Sequence, residues 1–165
     1  MKFGYLAIGF LCVVCLAVMP AQAFTAKTLT ITLDNNGNAQ ADMQYTLSFT
    51  EQAAIFFHAA DPAQLLQNAL QENLNRPVTV QKADMSSADV TISSFAQVTT
   101  NAGTTTMTTP AFSFAAAQKA VKNQWYAPLI TTDFAPQTTT ITFPDGYQST
   151  FASQISIPSV SHQIA

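Results

Sequence analysis

The sequence predicts an α+β fold: a mainly antiparallel sheet with two or three helices packed on one face. Three observations carry that expectation. Period-two alternation of apolar and polar residues opens the mature chain in TLTITL (28–33) and returns near its end in TTTITF (138–143). Two capped, helix-like patterns lie between these runs, at DPAQLLQNALQENL (61–74) and PAFSFAAAQKAVKNQWY (110–126). Turn clusters rich in Asn, Asp and Gly separate the elements.

The N-terminus is set aside first. Lys2 provides a short basic region, YLAIGFLCVVCLAVM (5–19) a continuous apolar one, and AQA (21–23) the small-x-small pattern that precedes a signal cleavage. The expectation is a secretory signal at 1–23, a single α+β domain at 24–158 and a short tail at 159–165. Cys12 and Cys15 both fall inside the apolar signal region. The mature chain therefore has no thiol for disulfides, thiolate metal sites or nucleophilic catalysis, and folds on its core alone.

Taken in order, Leu29, Ile31 and Leu33 alternate with Thr. After DNNGN (34–38), Ala39, Ala41, Met43, Tyr45, Leu47 and Phe49 continue at the same period, so the pair reads as a hairpin with one apolar face. The Asp34–Asn38 cluster has one carboxylate where a calcium loop needs several, and reads as a turn. Ser48 or Thr50 caps a short helix in TEQAAIFFH (50–58). Asp61, with Pro62 at the first helical position and Gln64 three residues after the cap, starts a second. PVTVQKAD (77–84) and ADVTISSFAQV (88–98) read as strands, the second turning at NAG (101–103) into TTTMTT (104–109). Thr109 and Pro110 open a third helix with Phe114, Ala117, Val121 and Trp125 on one face, ended by Pro128. In the last segment Pro144, Asp145 and Gly146 form a three-residue hairpin loop, with Ile141 and Phe143 answering Tyr147 and Phe151. SVSHQIA (159–165) shows no periodicity and reads as a loose tail or a docking arm.

Charge is sparse. Lys27, Arg76, Lys82, Lys119 and Lys122 face nine carboxylates, with no basic run, so nucleic acid and anionic membranes are poor partners. Threonine fills 22 positions of 24–165, which suits strands whose exposed faces are hydroxylated rather than ionised. Such strands leave their edges poorly protected against pairing with other chains.

Catalytic patterns are missing from the sequence. His58 and His162 are far apart and neither has a metal-ligand partner at helical spacing, so no metal or cofactor is expected. There is no G-x-S-x-G elbow and no Gly-rich phosphate cradle, and the carboxylates occupy turns, caps and solvent-facing strand positions. The chain is expected not to be an enzyme. The expected function is an extracellular structural subunit that self-associates through Thr-rich strand edges into a surface layer, sheath or filament, as a homo-oligomer or polymer. The alternative is a monomeric secreted binding module for a glycan or a cell-surface protein. Candidate contact residues are Trp125, Tyr126 and Phe134, whose aromatic rings suit an interface, and Thr138 and Thr140.

The AQA-terminated leader, the Thr/Ala/Gln-rich acidic mature chain and the phrases TTTITFPDGY (138–147) and ISIPSVSH (155–162) resemble secreted cell-surface proteins of methanogenic archaea, including structural proteins of their envelopes. The resemblance implies an extracellular location and an assembling role, and assigns no catalytic residue. Envelope proteins of this kind are often cross-linked or glycosylated. Residues 24–165 contain neither Cys nor an N-x-S/T sequon.

Overall fold

A computed structural model describes residues 22–47, 76–84, 86–122 and 131–164, together with Ala63, Gln64, Gln67, Asn68, Leu70 and Gln71. Strands dominate. In chain order they are β1 (Gln22–Leu33), β2 (Ala39–Leu47), β3 (Val78–Ala83), β4 (Ser87–Ile92), β5 (Gln97–Asn101), β6 (Thr104–Thr108), β7 (Phe112–Ser113), β8 (Thr131–Asp133), β9 (Thr138–Thr142), β10 (Gln148–Ala152), β11 (Ser156–Ile157) and β12 (Ser161–Ile164). One continuous helix, α1 (Ala115–Lys122), lies among them.

The largest sheet runs β10-β9-β1-β2-β4-β3, with β8 beside the start of β1. β1 pairs antiparallel with β2 on one side and parallel with β8 and then β9 on the other. Its alternation sorts the residues between the two faces. On the inner face, one register row places Ile141, Ile31, Ala41, Val90 and Val80 side by side across five strands. On the outer face, Thr28, Thr30 and Thr32 stand beside Thr138, Thr140 and Thr142. Ile31 and Ile141 are almost wholly buried, and each contributes roughly 1.5–3 kcal/mol of transfer free energy.

Among the described residues the inner face is covered by strands, loops and the helical residue Leu70. Phe95, Ala96, Met107 and Ile157 join the sheet's apolar residues in one core cluster, with Leu70, Phe112, Phe114, Val160 and Ile164 packed against it. The ring of Phe112 meets Phe95 and Phe114 edge-on, at centroid distances of 6.0 and 5.9 Å. Met107 comes from the three-stranded sheet β12-β6-β5, and Phe112 and Ile157 from the two-stranded ribbon β11-β7.

The expected α+β class with two or three helices on one face is therefore corrected to a predominantly β architecture. The third helix shows why. Phe112 and Ser113 pair with Ile157 and Ser156 as β7, and the helix begins only at Ala115, whose N–H donates to Ser113 Oγ at 3.2 Å. Burial of Phe112 between Phe95 and Phe114 outweighs the helical spacing of Phe114, which lies just ahead of α1. Of the second helix, the described residues between 63 and 71 have helical backbone. TEQAAIFFH and His58 lie outside the described residues.

Three turns follow the sequence expectations closely. Asp34 Oδ1 accepts the N–H groups of Asn36 and Asn38, both at 2.8 Å, closing the β1–β2 turn. Ala102 and Gly103 join β5 to β6 with φ of 49° and 82°, as a two-residue type I′ turn requires. At the β9–β10 turn the Phe143 N–H donates to Tyr147 O at 2.8 Å, the Gly146 N–H donates to Phe143 O at 2.9 Å, and Gly146 has φ 88°.

Two stability outcomes follow. Gly37 has φ 79°, and a Cβ there would collide with the Ala96 carbonyl oxygen, so Gly37→Ala is expected to lower unfolding free energy by roughly 2 kcal/mol or more in denaturant titration. Thr139 is fully buried and its hydroxyl has no hydrogen-bond partner. Thr139→Val is expected to raise stability by about 1 kcal/mol, and a loss would show that the hydroxyl is satisfied.

Candidate functional site

The chemistry-bearing residues meet at one end of the large sheet. The Pro-Asp-Gly loop carries Asp145, whose Oδ2 lies 2.6 Å from Nε2 of His162 on β12. Tyr147 stacks flat on the imidazole at 4.0 Å and 11°, and Phe143 meets it edge-on at 5.1 Å. The hydrogen bond from His162 is the main cause that holds the Asp145 carboxyl below its ordinary value. Among the described residues no hydroxyl is hydrogen-bonded to the imidazole. Its Nε2, the atom that would activate a nucleophile in a Ser-His-Asp arrangement, is instead occupied by Asp145. The geometry is that of a clamp holding the C-terminal strand against the hairpin.

That segment, read from sequence as a tail or docking arm, is an ordered strand. Ser161, His162, Gln163 and Ile164 pair with Thr108, Met107, Thr106 and Thr105. Thr109 fastens its approach: Thr109 N–H donates to Val160 O at 2.8 Å, and Ser159 Oγ donates to Thr109 O at 2.6 Å.

A second group of charges crosses the outer face. Asp42 and Asp89 are direct cross-strand partners on β2 and β4, and Lys82 lies opposite Asp89 on β3. Hydrogen bonding to Asp89, then burial, raises the Asp42 carboxyl above its ordinary value. Lys82 also bridges Asp84 at 2.7 Å on an exposed surface, where such pairs contribute little to stability. Among the described residues no group of three His, Cys, Asp or Glu is placed to hold a metal ion, and no helix is long and apolar enough to cross a membrane.

The strand edges differ sharply in protection. At β3, a helical Gln pair four residues apart covers the outward backbone: Gln67 Oε1 accepts the Val80 N–H at 3.2 Å and Gln71 Nε2 donates to Val78 O at 2.8 Å. A register shift between Val80 and Lys82 and the Lys82 charge add two further guards. At β5 every residue of QVTTN is exposed, the register is unbroken, and there is no charge or proline. β10, QSTFA, is likewise uncharged and free of bulges.

Of the residues picked from sequence, Trp125 and Tyr126 lie outside the described residues. Phe134 is half-buried between β8 and β9. Thr138 and Thr140 are half-buried on the outer face of β9, which is flanked by β1 and β10. They can offer side chains to a partner, but their backbone is already paired. Sequence reasoning passed over the edge residues Val98, Thr99 and Thr100. Their signal was an uncharged run leading into NAG. It also missed the contact between Asp145 and His162, which depends on where β12 docks.

No known protein family, curated protein or solved structure matches this chain.

The carboxylates make the pH response testable. Asp34, held mainly by the Asn38 side chain, Asp84, held mainly by Lys82, and Asp145 are all lowered from 3.8. They stabilise the fold above that value, and the contribution is lost as pH falls through their folded values. Asp42 is raised from 3.8 and acts in the opposite sense, gaining stability as it takes up its proton. The melting temperature is expected to rise slightly from pH 7 towards about pH 4 and fall below it. Asp42→Asn should remove the rise, and Asp145→Asn should lessen the fall.

Proposed function

We propose that the mature chain is a secreted structural subunit that self-associates through strand edges into a surface layer, sheath or filament. One observation carries this reading: the β3 edge is guarded by a glutamine pair, a bulge and a lysine, whereas β5 presents an exposed, bulge-free and uncharged edge. A monomer under pressure to stay apart would blunt both. The outer faces support the same reading. Thr28, Thr30, Thr32, Thr138, Thr140 and Thr142 line the β1–β9 part of the large sheet, apart from the Asp42, Asp89 and Lys82 group, and Thr104, Thr106 and Thr108 one face of the small one, so copies that meet on these parts meet hydroxyls in place of like charges. The leader at 1–23 and the likeness to archaeal envelope proteins favour an extracellular site of assembly.

An added backbone hydrogen bond has a net worth of about 1 kcal/mol, and association costs at least about 4 kcal/mol. One short edge joint is therefore weak, and joined species form only at high protein concentration.

Light scattering of residues 24–165 across a wide concentration range is expected to show growth of large species, with electron microscopy showing ordered assemblies. Because the joints are uncharged, growth should change little between low and high salt. A monodisperse monomer under all these conditions would sink the proposal and favour the binding-module alternative.

A further inference from the structure

The assembly reading leaves open which surfaces join. The hydrogen-bond parity of the strands answers this, because in an antiparallel ladder alternate residues direct both backbone groups to the same side. Asn101 and Thr104 flank the two-residue turn at Ala102 and Gly103, so they form the closing hydrogen-bonded pair. Gln97, Thr99 and Asn101 thus bond to β6, and Val98 and Thr100 direct their N–H and C=O groups outward. At the other edge, the Phe143 N–H donates to Tyr147 O. Counting in twos along the register from that pair, Ser149 and Phe151 bond to β9, and Gln148, Thr150 and Ala152 face outward. Among the described residues neither outward set is covered.

We infer that two copies of this chain join at β5 and that two others join at β10, each about a two-fold axis, and that the alternation of the two joints builds a linear filament. The inference rests on the assembly reading and specifies its geometry. Two antiparallel β5 strands centred on Thr99 pair Val98 with the partner copy's Thr100, giving about four hydrogen bonds. Val98, one of two exposed large hydrophobic residues among the described residues, is covered in that joint. Two β10 strands centred on Thr150 pair Gln148 with the partner copy's Ala152 and Thr150 with its own copy, giving about six. No charged side chain lies in either strand.

Register is limited at β5 by the β1–β2 turn. The Ala96 N–H, which has the same parity as Val98 and Thr100, already donates to Gly37 O at 2.8 Å. A partner strand that slipped towards Ala96 would meet that turn. Two distinct isologous joints on one subunit cannot satisfy each other within a dimer, and where their two axes do not meet so as to close a ring the assembly propagates with a dimer repeat.

The test uses T99K and T150K in residues 24–165. Both positions are exposed in the strands, and each substitution sets two like charges directly across a two-fold axis. Sedimentation velocity and electron microscopy of the unaltered chain are expected to show filaments. At the concentration at which the unaltered chain forms filaments, T99K alone should stop at dimers held by β10, T150K alone at dimers held by β5, and the double variant at monomers. T99S and T150S should assemble as the unaltered chain does, and circular dichroism confirms that the lysine variants are folded. Filaments persisting in the folded double variant overturn the inference, as does a single variant that is wholly monomeric or unaffected. An unaltered chain that never assembles refutes the underlying assembly reading instead, so the two failures are distinguishable.

Discussion

The parallel register between β1 and β9 is the constraint on which the rest depends. Thr28 through Thr32 lie beside Thr138 through Thr142 without a shift. Because strand side chains alternate, that register puts Ile31 against Ile141 on one face and threonine against threonine on the other. A slip of one residue would drive Leu29, Ile31 and Leu33 into solvent and bury hydroxyls. With β1 fixed, β2 follows through a turn closed by Asp34, β4 pairs with β2, and β10 returns from β9 through Pro-Asp-Gly. The price of this register is Thr139, which takes an inner position and leaves its hydroxyl buried without a partner.

The second consequence concerns the C-terminus. Pairing of β12 with β6 carries His162 to the tip of the β9–β10 hairpin, where Asp145, Tyr147 and Phe143 receive it. Beyond the packing of Met107 in the shared core, the small sheet is thereby tied to the large one by the β12 clamp and by the hydrogen bond from Ala96 N–H to Gly37 O just ahead of β5. The second of these acts directly ahead of β5, so this edge is held at a defined place even though its own residues are exposed. An edge held in this way loses less conformational entropy when a second strand adds to it.

Much of the local structure was legible in the sequence. TLTITL and its continuation fold as the hairpin their alternation indicated, NAG turns where expected, and Gly146 takes the left-handed conformation that a three-residue loop needs. These elements are decided by residues close in sequence. What escaped was decided by residues far apart. Phe112 and Phe114 sit in a pattern with helical spacing, yet Phe112 becomes a strand residue because Ile157 and Phe95 are waiting for it. His162 had no partner within its own segment, and its partner Asp145 was fully accounted for as a turn residue. The parallel pairing of β1 with β9 joins the two ends of the chain, and alternation alone cannot say which strand neighbours which.

Catalytic and metal-binding motifs have little in common with the features that support an assembling subunit. A motif is a set of side chains, whereas strand addition uses N–H and C=O groups that every non-proline residue carries. Side chains then act mainly by what they do not do. At β3 a lysine, a bulge and two glutamines close the edge. At β5 and β10 nothing equivalent is present among the described residues, and the flanking threonines add methyl and hydroxyl groups that bring no charge to a joint. Low charge and abundant threonine are thus the compositional imprint of open edges, provided that the backbone parity leaves their hydrogen-bonding groups outward, as it does at Val98, Thr100, Gln148, Thr150 and Ala152.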